Sequence, residues 1–340
     1  MPSPALPCPA LPTVDLVTPC RNRLANLRAS LPSWLGQPLI RRIVVVDFQS
    51  EQPVAAELGP DLDPRLLVLR VEGEPLWRQG RAQNVGLLAS DADLILKIDA
   101  DIAVVDITPY VEAMARNPQL FLQGCSRQGS SSGLCLVQRR AARRIGGYHD
   151  HMAGWGGDDV DFYRRLKRAG LQSRTVEPHH FAEIPQRMAL KNAEAPLLDS
   201  AWLPPHPDLV RQAKFTAFRN GLLARMQPQQ RHSALRWRLS PAGTPGTTVA
   251  SMKGSNRLRL LLARHNTELA NILALHTYAP DGSHWQVLRQ PRIQAFISEH
   301  RLLLPRQRAQ REGVLARLPH RSLALRELAR SLGVELLPAE

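Results

Sequence analysis

Two aspartates follow an apolar run near the middle of the sequence. Asp99 and Asp101 come directly after the mostly apolar residues 94–98. Because alternate side chains of an extended chain point the same way, both carboxylates are expected to project together from the end of a buried strand. Carboxylate oxygens suit Mg²⁺ or Mn²⁺, which bind through one or two carboxylates and the phosphates of a substrate. A D-x-D triplet also occurs in many surface loops, and the buried strand before it is what favours a metal site here.

A second acidic group lies at the start of a predicted helix. Residues 154–162 are Gly-Trp-Gly-Gly-Asp-Asp-Val-Asp-Phe, so three acids fall within four residues. Capping is the alternative explanation, because acids at a helix N-terminus complement its dipole and its free N–H groups. Three acids exceed what capping requires. The glycines suit a tight turn or a close ligand approach, and Trp155 offers a flat face on which a sugar ring could stack.

These residues need a scaffold of alternating strands and helices. Short apolar runs predict four strands in the first hundred residues, over 14–18, 43–46, 66–71 and 94–98. Pro19 is expected to stop the first strand, leucine spacing predicts a helix over 24–35, and 83–89 also has a helical pattern. The alternation predicts an α/β fold around a mostly parallel sheet. Ligands of such sheets bind beyond the carboxyl ends of the strands, where Asp99 and Asp101 fall.

The pattern continues beyond the two aspartates and then changes. A strand over 134–137, a basic helix over 138–145 and a helix from 158 to about 169, ended by Gly170, are predicted. Further helical patterns follow at 258–275, 293–304 and 323–332. The proline, glycine, serine and threonine content of residues 226–256 indicates a linker. The predicted organisation is an N-terminal tail (1–12), a main domain (13–225), that linker (226–256) and a basic, mainly helical C-terminal region (257–340).

The net charge of +14 is carried by the C-terminal third. Of 44 basic and 30 acidic residues, 23 of each lie in residues 1–210, which leaves 21 basic and 7 acidic residues in the remainder. This asymmetry favours an anionic partner such as a lipid surface, nucleic acid or acidic glycan, and an arginine-rich surface without a partner is the equal alternative. Few aromatic residues interleave the arginines, which argues against nucleic acid.

Targeting signals and cysteine pairs are missing from the sequence pattern. No apolar run reaches the roughly 18 residues of a membrane-spanning helix, and residues 1–12 lack a basic start followed by an apolar stretch. Cys8, Cys20, Cys125 and Cys135 lack zinc-site spacing and are too few for a disulfide scaffold. We therefore predict a cytoplasmic protein with reduced thiols.

Four motifs in order resemble a known group of transferases. Residues 154–159, G-W-G-G-D-D, resemble the G-W-G-G-E-D signature of the β-1,4-galactosyltransferases and bacterial chondroitin polymerases of the glycosyltransferase family two superfamily. Residues 19–23, P-C-R-N-R, look like their P-F-R-N-R donor loop. Residues 81–86 are similar to the R-A…N-V-G helix, and residues 99–101 match D-V-D. The resemblance implies the GT-A nucleotide-diphospho-sugar transferase fold, a Rossmann-like mixed sheet flanked by helices.

The resemblance also implies roles for individual residues. Asp101 would bind Mn²⁺ directly, and Asp99 would contact the metal or the ribose. Asp159 falls at the position of the catalytic base, and Asp158 at that of an acid that binds the donor or acceptor sugar. The implied donor-side residues are Pro19, Arg21, Arg23, Asp47, Arg81, Asp99, Trp155 and Gly156. Two departures are visible: Asp47 begins only a partial match to the D-D-G-S of the wider family, and Val160 replaces an acid.

A histidine metal ligand is also implied downstream. His179 and His180 follow residues 174–177, R-T-V-E, which are similar to R-S-V-E in the chondroitin polymerases. The spacing is a few residues shorter than in that family, so either histidine could be the ligand, and we favour His180. A solvent-facing histidine pair after a strand is the alternative.

Together these features predict an inverting, metal-dependent glycosyltransferase. It would move a hexose or N-acetylhexosamine from a UDP-sugar to a hydroxyl of a glycan or lipid-linked acceptor. The acceptor would lose its proton to Asp159, which at an unperturbed pKa of about 3.9 is ionised at neutral pH. Mn²⁺ or Mg²⁺ would offset charge on the departing diphosphate. The basic C-terminal region would dock the acceptor or contact a membrane surface peripherally.

Two alternatives remain open from the sequence. A sugar-nucleotide nucleotidyltransferase would also pair such a sheet with metal-binding carboxylates, but residues 19–23 lack the glycines of a triphosphate loop. The other is an inactive transferase-like binding protein with a basic partner-binding tail. The presence of Asp99, Asp101, Asp159 and His180 argues against it.

Overall fold

The computed structural model describes residues 11–74, 77–124, 133–184, 209–226, 236–241 and 247–253, together with isolated residues between 267 and 298. The chain divides into two compact units. The first unit comprises Met1–Gly154, Asp158–Leu198 and Gln229–Gly254. The second comprises Trp155–Gly157, Asp199–Pro228 and Ser255–Glu340.

Strands and helices alternate through most of the first unit. Its described elements are β1 (Val14–Cys20), α1 (Leu24–Leu35), β2 (Ile40–Phe48), α2 (Val54–Leu58), β3 (Leu66–Glu72), α3 (Gln79–Ala89), β4 (Leu94–Lys97), β5 (Ile102–Val104), α4 (Thr108–Arg116), β6 (Leu120–Gln123), β7 (Cys135–Gln138), α5 (Arg139–Arg144), α6 (Asp158–Arg168), β8 (Gln172–Thr175), a 3₁₀ turn (Pro178–His180), β9 (Phe181–Glu183), β10 (Arg236–Pro241) and β11 (Thr247–Lys253). The second unit contains helix α7 (Leu209–Met226).

Most strands of the first unit form one mixed sheet. The strand order is β10-β11-β3-β2-β1-β4-β7-β6-β8. The run from β11 to β4 is parallel, whereas β7 pairs antiparallel with both β4 and β6. Strands β5 and β9 form a separate antiparallel pair. The predicted α/β class, with a mostly parallel sheet flanked by helices, is confirmed.

Both faces of the central strands are buried. In β2, Ile43 and Val45 belong to one apolar cluster, while Val44 and Val46 belong to the cluster on the opposite face. This is the expected environment of a parallel sheet covered by helices on both sides, and it explains the continuous apolar runs of the sequence.

The first strand continues through Pro19, where the sequence analysis predicted a stop. β1 pairs with β4 only as far as Val17, while its pairing with β2 extends to Cys20. Beyond Val17, β1 therefore has a strand neighbour on one side only. A proline, which has no N–H, is tolerated at such an edge position.

Helix α3 lies unusually close to β1 because of Gly86. A Cβ atom added to this glycine would overlap the side chain of Val17. The N-V-G motif thus has a packing function. The preceding Asn84 also fixes the loop after α5, since its amide donates to the Tyr148 carbonyl at 2.9 Å and accepts from the Tyr148 N–H at 2.8 Å.

The C-terminal part of the chain differs from the predicted linker. Residues 236–241 and 247–253, inside the predicted linker 226–256, form β10 and β11, and β11 pairs in parallel with β3. The sequence of β11, Thr-Thr-Val-Ala-Ser-Met-Lys, contains the β-branched residues that favour strands. The helices predicted over 258–275, 293–304 and 323–332 lie largely or wholly outside the described residues. In the described part of the chain, no helix combines the length and apolarity needed to span a bilayer.

Candidate active site

A buried lysine joins the two acidic groups that the sequence analysis singled out. Lys97, the last residue of β4, is 2% exposed. Its Nζ lies 3.0 and 3.2 Å from the two carboxylate oxygens of Asp159 and 3.2 Å from Oδ1 of Asp99. The same ammonium donates to the carbonyl of Gly133. The Lys97 ammonium therefore links the carboxyl end of β4 to the N-terminus of α6.

The start of α6 places two carboxylates in this site. Asp158 is 6% exposed, and its Oδ2 has no hydrogen-bond partner among the described residues. The side chain of Asp159 is 20% exposed. Buried carboxylate oxygens are normally paired, so an unpaired one is a candidate contact for a ligand.

The buried site changes the proton affinity of both aspartates. Burial raises the pKa of Asp159 to about 7, with a further contribution from Asp158 and Asp99, while Lys97 opposes the shift. Burial also raises the pKa of Asp158. The expectation of an unperturbed Asp159 is therefore corrected, because burial brings the pKa of this carboxyl close to neutral pH.

The third acid of the motif has a structural role. Asp161 accepts a hydrogen bond from Arg165 Nε at 2.8 Å, and Arg165 in turn donates to the carbonyls of Ile145 and Gly147. Burial alone would raise the pKa of Asp161, but the Arg165 guanidinium holds it below its usual range. The pair anchors α6 to the turn after α5 and lies apart from the Lys97 contacts.

Asp99 is held by residues from several parts of the chain. Its Oδ1 accepts from Gln79 Nε2 at 3.0 Å as well as from Lys97. Gly133 lies against the same carboxylate, and a Cβ atom added there would overlap its oxygens. The orientation of Asp99 is therefore set by the start of α3, the end of β4 and the segment before β7.

The loop after Asp99 is fixed by helix α1. Ser30 Oγ donates to the Ala100 carbonyl at 2.9 Å, and Trp34 Nε1 donates to the Ile102 carbonyl at 2.8 Å. The buried Asp101 lies between these anchor points, and its own carbonyl accepts from the Ile184 N–H at 2.7 Å. A rigid helix thus positions the D-x-D backbone.

The register of β5 and β9 places the backbones of Asp101 and His180 at opposite ends of a short ladder. Asp101 is bonded to Ile184 at one end of the β5–β9 ladder, whereas the carbonyl of His180 accepts from Val105 at the other end. Four residues of strand separate the two ends, or about 13 Å. Within the described residues, no group of three or more His, Cys, Asp or Glu side chains is arranged to hold a metal ion. A shared site for His179 or His180 with Asp101 stays a prediction from the motif resemblance.

His180 has a different local partner. Its Nδ1 lies 2.8 Å from the hydroxyl of Tyr110, and that hydroxyl accepts from the Glu177 N–H at 2.7 Å. The Tyr110 and His180 rings meet edge to face, with centroids 5.4 Å apart. These contacts hold the 3₁₀ turn (Pro178–His180) against α4.

Arginines of two predicted donor motifs converge on Glu74. Arg81 forms a buried ion pair with Glu74, and Arg21 donates to the Glu74 carbonyl at 3.2 Å. Arg78 adds a longer contact of 3.5 Å to the same carboxylate. Burial lowers the pKa of Arg21 and of Arg78, and Arg81 lowers that of Arg78 further. This group of basic side chains could receive an anionic ligand.

The remaining predicted donor residues have mixed surroundings. Asp47 is buried, and its two oxygens accept from the N–H groups of Ser50 and Val54 and from Arg70 at 2.7 Å. It closes the loop after β2, so the predicted nucleotide contact of Asp47 is not supported by its geometry.

Other members of the donor set serve the backbone or belong to the second unit. Pro19 lies in β1, and Arg23 immediately precedes α1, where its carbonyl accepts from Leu27 at 3.0 Å. Trp155 and Gly156 are part of the second unit. There the Gly156 carbonyl accepts from Asn220 Nδ2 at 2.6 Å, and a Cβ atom on Gly156 would crowd Ala217.

Few carboxylate oxygens near Lys97 are available to a divalent cation. Asp99 and Asp101 are the predicted carboxylate contacts, and Asp101 follows two residues after Asp99. Because Asp99 Oδ1 is shared by Gln79 and Lys97, the protein offers few free carboxylate oxygens for a complete cage. Mg²⁺ and Mn²⁺ fit such a site when substrate phosphates provide the other ligands.

Sequence reasoning missed the residues that link the motifs. Lys97 interrupts an otherwise apolar strand, and a charged residue at such a position needs a buried counter-ion. That signal could have identified it. Gln79 and Glu74 carry no comparable local signal, because their partners lie on other elements.

Sequence comparison bears directly on this region. Residues 124–189 match a protein family described as the N-terminal domain of galactosyltransferase. The match contains β7, α6, the buried Asp158 and the partly exposed Asp159. This segment of the chain resembles the galactosyltransferases. No curated protein matches the sequence.

Two solved structures illustrate its fold similarities. The catalytic domain of Drosophila β1,4-galactosyltransferase 7, in complex with xylobiose, shares 16% identity with a TM-score of 0.42 over 71% of this chain and 92% of its own. The mannosyltransferase PcManGT from Pyrobaculum calidifontis, in complex with GDP-Man and Mn²⁺, shares 17% identity with a TM-score of 0.47 over 88% of this chain and 83% of its own. At these TM-scores the two similarities add no functional conclusion.

Proposed function

We propose that this protein is a glycosyltransferase that moves a hexose or N-acetylhexosamine from a UDP-sugar to a hydroxyl of a glycan or lipid-linked acceptor, with inversion at the anomeric carbon. A divalent cation, Mn²⁺ or Mg²⁺, is required. The observation that carries the proposal is the shared contact of Lys97 with Asp99 and Asp159, which joins the D-x-D motif to the start of α6. The motif resemblance and the family match over residues 124–189 support the donor class.

Asp159 acts as the general base in this proposal. It accepts the proton of the acceptor hydroxyl while the acceptor oxygen bonds to the anomeric carbon and the bond to the diphosphate breaks. A base works best when its pKa lies near the working pH, and burial raises the pKa of Asp159 to about 7. The partial exposure of its side chain leaves room for an acceptor to approach.

Asp158 binds a sugar hydroxyl. Its Oδ2 is buried without a hydrogen-bond partner among the described residues, and a hydroxyl donor from the substrate would satisfy it. The adjacent Asp159 then faces the same substrate from the next position of the helix turn.

The donor diphosphate lies near basic and acidic groups of the first unit. Arg21 and Arg81, held together by Glu74, supply positive charge for the nucleotide diphosphate. Asp101 and Asp99 are the residues that would hold the cation. When bound, that cation supplies Lewis-acid stabilisation of the negative charge on the departing diphosphate. The roles of Arg23, Trp155 and Gly156 in donor binding remain predictions from the motif resemblance.

The proposal also covers the cellular location of the protein and the docking of its acceptor. The cytoplasmic location stays a prediction from the sequence pattern, and the peripheral membrane contact of residues 257–340 stays a prediction from sequence charge. Co-sedimentation with anionic and neutral vesicles at low and high salt tests the membrane contact, because charge-driven binding weakens as salt rises.

The enzyme assay measures nucleotide release and product formation together. The protein is incubated with a panel of UDP-hexoses and UDP-N-acetylhexosamines, neutral and lipid-linked acceptors, and Mn²⁺, Mg²⁺ or EDTA. We expect one donor to give acceptor-dependent UDP release that EDTA abolishes and Mn²⁺ restores. Product detected by mass spectrometry confirms the transfer, whereas no turnover with any UDP-sugar in the presence of Mn²⁺ would contradict the proposed donor class.

A further inference from the structure

Lys97 occupies a buried strand position at which an apolar side chain would carry a smaller desolvation penalty. Its strand neighbours Leu94, Ile95 and Leu96 are buried, and Lys97 pairs with Cys135 across the antiparallel contact to β7. Burying an ammonium carries a desolvation penalty of several kcal/mol. The attraction to a buried carboxylate often does no more than cancel this penalty. An aliphatic residue would serve stability as well, so stability gives no reason for a lysine here.

The contacts of Lys97 restrict one carboxylate in particular. The two distances to Asp159 differ by only 0.2 Å, so the ammonium contacts both oxygens of that carboxylate. The carbonyl of Gly133 holds the ammonium from another side, and the Tyr148 ring lies with its centroid 6.0 Å away. Asp159 is therefore oriented by a cation that is itself held in place.

The same ammonium serves the donor side of the site. Asp99 Oδ1 lies 3.2 Å from Lys97 Nζ and also accepts from Gln79. Asp158, next to Asp159, is buried as well. Three carboxylates gathered in one place repel each other, and Lys97 provides the positive charge that allows Asp99 and Asp159 to lie close together.

We propose that Lys97 is a positioning residue that holds the carboxylate of Asp159 toward the acceptor and fixes it relative to Asp99. This inference rests on the proposed function, in which Asp159 is the base. Lys97 acts through Asp159 and takes no part in bond making. Its loss should slow the transfer step and leave donor binding largely intact, because a displaced reacting group can cost about 100-fold in rate.

The experiment compares Lys97→Met with Asp159→Asn and with the double variant. For Lys97→Met we expect kcat to fall by about 100-fold and the donor KM to change by less than about threefold. Because both residues act through one carboxylate, the double variant should be no slower than Asp159→Asn alone, within about threefold. Lys97→Arg, which keeps the charge, should recover part of the lost kcat. Lys167→Met, an exposed position on α6, is the matched control and should retain wild-type kinetics.

The outcomes separate this inference from the proposed function. If Asp159→Asn is inactive but Lys97→Met keeps the wild-type kcat, the positioning role is wrong and the proposed function stands. Independent, multiplicative losses in the double variant would also overturn it. If the wild-type chain transfers no sugar, the proposed function fails and the positioning role fails with it.

Stability measurements cover the case in which Lys97→Met folds poorly. Removing Lys97 leaves buried carboxylates without their cation, and the added Asp159→Asn change removes one of those charges. The double variant should therefore unfold at a higher temperature than Lys97→Met alone. An equal or lower unfolding temperature would show that Lys97 does not act through Asp159.

Discussion

Lys97 and Asp159 lie 62 residues apart in sequence and meet at 3.0 Å in the fold. The lysine comes from the end of β4, in the middle of the sheet, and the aspartate comes from the first turn of α6. Their contact forms only when α6 is packed against the sheet. The site is therefore a product of the tertiary structure of the first unit and of neither motif alone.

The transfer rate should rise with pH around neutrality. Burial raises the pKa of Asp159 to about 7, and a general base works only when it is deprotonated. We expect kcat to be half-maximal near pH 7 and to fall about tenfold for each pH unit below 6. A kcat profile between pH 5 and 9 at saturating substrates measures this. A rate independent of pH from 5 to 8 would show that no group with this pKa acts as the base.

Two aspartates in the same helix turn should give different phenotypes. Asp159→Asn removes the base and should lower kcat by at least about 100-fold. It should destabilise the chain less than Asp161→Asn, because Lys97 keeps its contacts with Asp99 and the Gly133 carbonyl. Asp161→Asn breaks the buried pair with Arg165 and should destabilise the chain by about 3–5 kcal/mol while the folded fraction keeps its kcat. Kinetics and denaturant unfolding are measured on both variants. Equal activity losses in the two would mean that the helix start acts only as a structural cap.

Because α3 lies close to β1, adding one methyl group at Gly86 should destabilise the protein. Gly86→Ala places a Cβ atom against Val17 and should lower the free energy of unfolding by about 1–3 kcal/mol. Gly221→Ala, inside α7, meets no atom within 4 Å and should raise stability by about 0.5–1 kcal/mol. Urea unfolding of both variants tests the pair. A stabilising Gly86→Ala would show that the helix can move away from β1 without cost.

Metal activation should depend on Asp101 far more than on His180. The ladder between β5 and β9 separates the two residues, and His180 instead contacts Tyr110. Asp101→Asn should raise the Mn²⁺ concentration needed for half-maximal activity by at least about tenfold, as expected when a metal contact is disturbed. His180→Ala should shift it by less than about threefold and lower stability by about 1 kcal/mol through the lost hydrogen bond. Loss of Mn²⁺ activation in His180→Ala alone would restore the histidine as a ligand.

Local sequence patterns predict those parts of the site that lie within one element. The apolar run before Asp99 and the acidic helix start at Asp158 each depend on neighbouring residues, so the periodicity of strands and helices was enough to place them. The α/β class follows from the same alternation.

Long-range contacts were not predictable in this way. Lys97 falls within a mostly apolar run, and its counter-ion Asp159 lies on another element. The separation of His180 from Asp101 depends on the register of β5 and β9, which are three residues each and have no clear periodic pattern. β10 and β11 lie in a range whose glycine and proline content resembles a linker, yet β10 pairs with β11 and β11 pairs with β3.

The stereochemistry of the product tests the central claim most directly. Proton NMR of the anomeric centre, recorded during transfer from an α-linked UDP-sugar with Mn²⁺, distinguishes one displacement from two. If Asp159 deprotonates the acceptor for a single displacement, the first product will be β-linked, and Asp159→Asn will form it at least about 100-fold more slowly. An α-linked first product, or an equal rate in Asp159→Asn, would contradict the role assigned to Asp159.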